Sequence, residues 1–276
     1  MYRTIWKPRP KLAWGLTILS ILIILGPVGQ QIIDESGLRL GSGPINSAPS
    51  GVHPLGTDTA GRDLLTLMIY SITPTLRVGL LAAVVSTFVG ALLGTIMGYR
   101  GGVLDMATRS IGDVLLSIPS LMILIVIASF IETSLNSIAL IIAIFILPWS
   151  IRTIRAQVLT LREHGFVKYA IVSGQSQTEI IFLEIMPNLV PFIAVGFIGA
   201  VSEAILTLVG LQLLGLGPTG LPTLGSTLHF AFASAAIWRG IWWWWLPPTM
   251  YLIMLFVGLF LVSTSLDEFA NPRLNT

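Results

Sequence analysis

The chain has 276 residues and a mean hydropathy of +0.87, with 54% hydrophobic and only 10% charged residues. Soluble domains carry about 25% charged residues, so this composition excludes an ordinary water-soluble protein and indicates one whose solvent is the lipid bilayer. The net charge of +2 gives no support for a nucleic-acid partner, and a sequence without cysteine has no disulfide, thiolate metal site or cysteine nucleophile.

Six apolar stretches predict membrane-spanning helices, each of which needs about 20 mostly apolar residues. They lie at residues 12–33, 75–97, 111–131, 138–151, 188–211 and 243–263, and the fourth extends toward residue 154. The first stretch has no obvious small-residue cleavage site after it, so we predict a retained anchor rather than a signal peptide. The predicted fold class is therefore an all-α membrane protein with six transmembrane helices.

Positively charged residues predict the orientation, because Lys and Arg concentrate on the cytoplasmic side of membrane proteins. With the N-terminus inside, eleven of the fifteen Lys and Arg residues fall on the inner side and four on the outer side. Both termini are therefore predicted to be cytoplasmic, as tails at 1–11 and 266–276. After the first span we expect an extracytoplasmic loop at 34–74 and then a core of five spans at 75–265.

The inner segment at 152–186 is the most charged part of the chain, and we predict a cytoplasmic loop at 155–187. The sequence "LREHGFVKYAIVSGQSQTEIIFLEIMPN" occupies residues 161–188. Its charges exclude it from hydrocarbon, although its apolar residues recur at helical spacing. Ser173 and Gly174 divide it, because glycine ends a helix at little cost. The pattern predicts a short helix, a glycine turn, a second helix and a new span opened by Pro187. The short helix either docks into a groove on a soluble partner or lies on lipid headgroups.

This loop resembles the cytoplasmic coupling loop of permeases in ATP-binding-cassette (ABC) importers. That loop has a Glu-Ala-Ala triplet, a glycine four residues later and a proline about thirteen residues after the glycine. Two triplet positions depart from the pattern, and Lys168 reverses the expected charge. The resemblance implies that the residues matching the motif couple the chain to an ATPase, and these are Lys168, Tyr169, Ala170, Gly174, Ile185 and Pro187.

Three more segments resemble one subfamily, the second permease of dipeptide, oligopeptide and nickel importers. "HPLGTDTAGRDLLTLMIY" at 53–70 is similar to the segment before its second span, and "GLQLLGLGPTGLPTLGSTL" at 210–228 to the loop after its fifth. "SLDEFANPRL" near the end matches its terminal pattern. The resemblance implies a type I ABC-importer permease fold with a coupling helix. Leu208 departs from it, because the subfamily usually has glutamate there.

The resemblance also implies a function and partners. The chain would be half of a translocation pathway for di- and oligopeptides, with oligosaccharides and then nickel chelates as alternative cargo. Its expected partners are a homologous second permease, two cytoplasmic ATPase subunits and an extracytoplasmic solute-binding protein. We expect no enzymatic activity and no cofactor in this chain, because it has no phosphate-binding Walker sequence. ATP and Mg²⁺ would bind to the ATPase subunits.

A secondary transporter is the alternative from another class. Such proteins need charged residues within their spans for ion coupling and often repeat one half of the chain. Glu203 is the clearest charged residue inside a predicted span, and no repeat is visible. Because burying a charge in a membrane is costly, Glu203 is a candidate for the translocation pathway, together with the nearby Thr207 and Gln212.

Further residues are candidates for packing and docking. Gly90, Gly94 and Gly98 lie four apart, which lets another helix approach one face closely. Asp58, Arg62 and Asp63 are predicted to cap and tie the outer loop, and they are candidates for contact with a solute-binding protein.

Smaller patterns give structural expectations. Arg109 and Asp113 are four residues apart and can pair on one helix face. The tryptophans at 242–245 are predicted to lie at the membrane–water interface. The three histidines do not have metal-ligand spacing, so we expect no metal site.

Overall fold

The computed structural model describes residues 10–130, 134–217 and 220–270, and within these ranges the chain is helical with no strand. The helices, in chain order, are α1 (Pro10–Ile32), α2 (Leu64–Arg100), α3 (Gly102–Ser117), α4 (Ser120–Phe130), α5 (Leu135–Arg162), α6 (Gly165–Val172), α7 (Gln177–Glu179), α8 (Met186–Leu213), α9 (Leu224–Ala233) and α10 (Trp242–Ala270). A short 3₁₀ helix covers Glu35–Leu38, and a π-helical turn at Ile180–Ile185 joins α7 to α8.

Five helical segments among the described residues are long and apolar enough to cross a membrane, and α3 with α4 can form a sixth crossing. These two helices are bent by 81° with respect to each other. The span predicted at 111–131 is therefore broken and is not one continuous helix. Pro119 explains the break, because the residue before a proline is pushed toward an extended conformation, and Ile118 has φ −103° and ψ 129°. Residue 131 lies outside the described ranges.

The remaining spans differ from prediction mainly at their ends. α1 and α8 agree with the predicted ends to within two residues, whereas α2 begins at Leu64 instead of at 75 and α5 covers Leu135–Arg162 instead of 138–151. Asp63 caps α2 by accepting a hydrogen bond from the Thr66 amide at 2.8 Å, so the helix starts where its cap is and not where hydropathy rises. The predicted outer loop at 34–74 is shortened accordingly. Residues 1–9 and 271–276 of the predicted tails lie outside the described ranges.

α2 lies at the centre of the fold and packs closely against α5 through glycine. A methyl group added at Gly90, Gly94 or Gly98 would lie less than 3.0 Å from atoms of α5. The facing residues, Ser150, Ile154 and Val158, advance in step with the glycines, so α2 and α5 run parallel. The structure thus places the three glycines at a joint within the subunit.

α1 packs antiparallel to both α2 and α10. Gly15 of α1 faces Val262, and Gly29 faces Ile69. The hydroxyl of Tyr251 donates a hydrogen bond to the Leu22 carbonyl at 2.9 Å. Trp244, at the start of α10, is 1% exposed and packs in a core cluster with Leu64 and Ile241. The position of the tryptophans at the membrane–water interface stays a prediction.

Candidate functional site

The short helix α6 has one buried face and one exposed face. Val167 and Ala170 are buried against the adjoining ends of α5 and α8. Tyr169 and Val172 point away from this core and are 76% and 87% exposed. Large apolar side chains this exposed on a polar loop indicate a contact surface.

Gly174 shapes the turn that ends α6. Its φ is +79°, a left-handed conformation that favours glycine. The Gln175 amide donates to the Ala170 carbonyl at 3.2 Å, and the Gly174 amide donates to the Ile171 carbonyl at 3.1 Å. These are the two hydrogen bonds of a Schellman motif. The turn reverses the chain, so that the next helical segment packs against α6.

The second helical segment begins with a capping box. The Ser176 hydroxyl accepts a bond from the Glu179 amide at 3.3 Å, and the Glu179 carboxylate accepts one from the Ser176 amide at 2.7 Å. Beyond the box the backbone takes the π pattern, in which the Met186 amide donates to the Ile181 carbonyl. The helix then continues through Pro187 into α8, so Pro187 does not mark a break.

The residues of the predicted coupling motif therefore divide into two groups. Lys168, Tyr169 and Pro187 are exposed, and Lys168 lies 3.5 Å from the Glu163 carboxylate. Ala170 and Ile185 are almost fully buried. The buried pair cannot contact a partner directly, and instead fixes α6 to the helices that cross the membrane.

Glu203 lies in the interior of α8 and is exposed in the single chain. It borders a cavity of about 480 Å³ between α2, α5, α8 and α10, hereafter the Glu203 cavity. Thr207, one turn further along α8, is partly buried and does not line this cavity. Leu208, where the resemblance led us to expect an acid, is fully buried in the core.

Gln212 borders a different cavity from Glu203, and the place of either residue in the translocation pathway stays a prediction. Gln212 is 3% exposed, and its Oε1 accepts a hydrogen bond from the Thr223 hydroxyl at 2.8 Å. Leu224, which follows Thr223 in the chain, donates a hydrogen bond from its amide to the Thr75 hydroxyl at 3.0 Å. Gln212 therefore helps to tie α8 to α9 and α2.

The outer loop is held together by two buried carboxylates. Asp58 is fully buried and accepts hydrogen bonds from the amides of Ala60 and Arg62 at 2.8 Å and from Arg62 Nε at 2.6 Å. Asp63 contacts His53 Nδ1 at 2.8 Å while it caps α2. Both carboxylates point into the loop, so they support its surface and do not form it. Docking of a binding protein here stays a prediction.

α3 is attached to α5 by ion pairs that the sequence did not predict. Asp105 binds Arg155 through both carboxylate oxygens, and Asp113 binds Arg152. Arg109 lies 3.6 Å from Asp105, so the predicted pairing of Arg109 with Asp113 is wrong. No group of three metal-ligating side chains occurs among the residues that the structure describes.

Comparisons with known proteins agree with this architecture. Residues 90–276 match the family described as "Binding-protein-dependent transport system inner membrane component". The chain is 30% identical to the dipeptide transport system permease protein DppC of Alkalihalophilus pseudofirmus over 95% of this chain and 86% of the relative. It is 33% identical to DppC of Haemophilus influenzae over 80% of this chain and 74% of the relative.

A third relative is the oligopeptide transport system permease protein OppC of Lactococcus lactis, 31% identical over 80% of this chain and 76% of the relative. The family match covers more than half of the chain, and these three relatives align over more than two thirds of both partners. The chain therefore belongs to the family of binding-protein-dependent transport system inner membrane components.

Proposed function

We propose that this chain is one permease subunit of an ATP-driven importer of short peptides. The observation that carries the proposal is the 30% identity to a dipeptide permease over 95% of the chain. Other relatives are named as permeases for oligopeptides and for glutathione, which is itself a short peptide. These relatives therefore favour short peptides as the cargo over oligosaccharides or nickel chelates.

Two cytoplasmic ATPase subunits, which bind ATP and Mg²⁺, would dock on the exposed face of α6. The structure supports this docking because α6 offers exposed apolar side chains to a partner groove, while Val167 and Ala170 pack against the ends of α5 and α8. Displacement of α6 would move these two helices with it. The chain would thus transmit the motion that ATP hydrolysis drives elsewhere.

A homologous second permease would complete the pathway, and a solute-binding protein would deliver peptides at the outer loop. The α6 end would face the cytoplasm, with both termini on that side. The charge distribution supports this orientation, because the topology predicted from the sequence puts eleven of the fifteen Lys and Arg residues on that side. Arg100, Arg162 and Lys168 line one cavity beside α6.

Reconstitution tests this proposal. The complete complex is placed in proteoliposomes with ATP on the ATPase side, and uptake of a radiolabelled dipeptide is measured with the binding protein on the other side. We expect uptake to require ATP, the binding protein and active ATPases. The control is the same complex with ATPases that lack the phosphate-binding lysine. Uptake driven by an ion gradient without ATPases would overturn the proposal in favour of a secondary transporter.

A further inference from the structure

The Glu203 cavity has features of a binding site for an organic cation. It lies among four helices and has a volume of about 480 Å³, within the range of small-molecule sites. Asp267 lines it in the last turn of α10, and Glu203 lines it in the interior of α8. The walls between them are largely apolar.

The charge of the cavity is uncompensated. Glu203 and Asp267 are the only charged side chains among the described residues that line it. Within the described part of the chain, neither carboxylate has an ion-pair or hydrogen-bond partner, whereas the neighbouring Glu268 pairs with Lys11 at 3.0 Å. An unpaired carboxylate in a membrane segment, such as that of Glu203, is costly and marks a ligand or ion pathway.

Thr87 gives an independent indication of a ligand. It lines the cavity, it is 7% exposed, and its hydroxyl has no hydrogen-bond partner among the described residues. Other threonines of the same helix satisfy their hydroxyls internally: Thr75 donates to the Ser71 carbonyl at 2.8 Å and Thr95 to the Ala91 carbonyl at 2.6 Å. The Thr87 hydroxyl oxygen is itself buried, and a rotation about the Cα–Cβ bond would present it to a bound donor.

The cavity also has room beside Glu203. Added methyl groups at Gly196 and Gly199 of α8 would meet nothing within 4 Å, and Gly199 lies one helical turn from Glu203 on the same face. Trp149 of α5 lines the opposite wall with an aromatic ring, which attracts cations through its electron-rich face.

We propose that this cavity holds the ammonium group of a peptide during transport, with Glu203 as its counter-charge. The Thr87 hydroxyl would accept a hydrogen bond from the ammonium, and Asp267 would raise the local concentration of cations. The proposal rests on the proposed function for its choice of substrate. Besides the two carboxylates and Thr87, the polar residues that line the cavity are Ser150, Thr153, Gln157 and Ser263. No group of three metal-ligating side chains occurs among the described residues, so the site fits an organic ammonium better than a metal ion.

The rates at which charged thiol reagents label a cysteine in the cavity test the proposal without a transport measurement. The chain has no cysteine, so Gly199→Cys provides a single thiol in the complete transporter. Its labelling rates are measured with 2-aminoethyl methanethiosulfonate, a cation, and with 2-sulfonatoethyl methanethiosulfonate, an anion. Each rate is divided by the rate of the same reagent with a free thiol. We expect the cation to be favoured roughly tenfold.

Removal of the counter-charge should reduce this preference. Glu203→Gln in the Gly199→Cys background is expected to lower it roughly threefold or more. The matched control is Glu184→Gln, which removes an acid of the same helical segment outside the cavity. Thr153→Cys, on the α5 wall, repeats the measurement if Gly199→Cys does not accumulate. Equal rates for both reagents, or a preference that survives Glu203→Gln, would overturn the proposal.

The substrate assignment has its own test. Without ATP, a dipeptide with a free amino terminus should slow labelling of Gly199→Cys, whereas the same dipeptide with an acetylated amino terminus should not. Equal slowing by both peptides would overturn the ammonium assignment. If ATP-driven uptake fails while the cationic reagent still labels faster, only the proposed function is contradicted. If uptake succeeds and the preference is absent, only the cavity proposal falls.

Discussion

Asp105 of α3 and Arg155 of α5 form an ion pair with two hydrogen bonds, one of which joins Arg155 Nη2 to Asp105 Oδ2 at 2.8 Å. Asp105 is only 5% exposed, and its carboxylate also lies 3.6 Å from Arg109 Nε. The pair connects residues fifty positions apart. It holds the first turn of the amphipathic helix α3 against the inner half of α5.

Asp105→Asn should destabilise the subunit strongly, because it leaves the Arg155 guanidinium partly buried without its counter-charge. Breaking such a pair costs about 3 kcal/mol. The matched control is Asp113→Asn, because the pair of Asp113 with Arg152 is solvent-exposed and contributes less than about 1 kcal/mol. Thermal unfolding of the detergent-purified subunit measures both changes. Equal shifts in Tm would contradict the role given to Asp105.

Gly174→Val should abolish transport while leaving insertion and assembly intact. A β-branched residue at φ +79° is strained by about 1–2 kcal/mol or more, and the Schellman turn that orients α6 would be lost. The added side chain meets no neighbour within 4 Å, so the effect would come from backbone conformation alone. ATP-driven uptake and co-purification of the ATPases are the two measurements.

Gly174→Asn is the matched control for this prediction, since asparagine tolerates the left-handed conformation. It should retain most of the transport activity. Normal uptake by Gly174→Val would show that the turn is not needed for coupling, and equal loss in both variants would point to the side chain instead of to the backbone.

Gly94→Ala and Gly112→Ala should change stability in opposite directions. A methyl at Gly94 would lie 2.9 Å from the Ile151 carbonyl oxygen, so α2 and α5 would have to separate at a cost of about 1–3 kcal/mol. A methyl at Gly112 meets only Pro148, at an ordinary 3.7 Å, and alanine favours the helix by about 0.5–1 kcal/mol. The measurement is the unfolding midpoint of each variant relative to the unmodified subunit. Shifts of the same sign in both variants would contradict the packing described for α2.

Local patterns in the sequence predicted a good part of the fold. Long apolar runs predicted the crossing helices, because hydropathy over about 20 residues is a local property. Gly174 and the capping residues around Ser176 likewise act through neighbours in the chain, so the helix–turn–helix form of the coupling loop was visible from its sequence. The residues of that loop also carried the resemblance to the permease family.

Relationships between distant residues were not visible in the same way. The partner of Asp105 lies fifty residues away, and a spacing rule gave Arg109 the wrong partner. Gln212 and Glu203 are close in sequence, yet Gln212 is buried and bonded to Thr223 beside one cavity while Glu203 borders another. The extra length of α2 was missed because its polar cap, and not hydropathy, determines where the helix begins. The extra length of α5 lies mostly at its C-terminal end, where the helix continues through the charged residues Arg152, Arg155 and Arg162 beyond the apolar run.

The π-helical turn at Ile180–Ile185 has a consequence for the whole of α8. Such a turn accommodates one residue more than an α-helical turn, and one residue corresponds to a rotation of about 100° around the helix axis. Deletion of a single residue there would restore a regular helix and rotate α7 and the attached α6 relative to α8. The Glu203 side chain and its surroundings in α8 would be unchanged. A partner docked on α6 would instead act on a different side of the membrane helices.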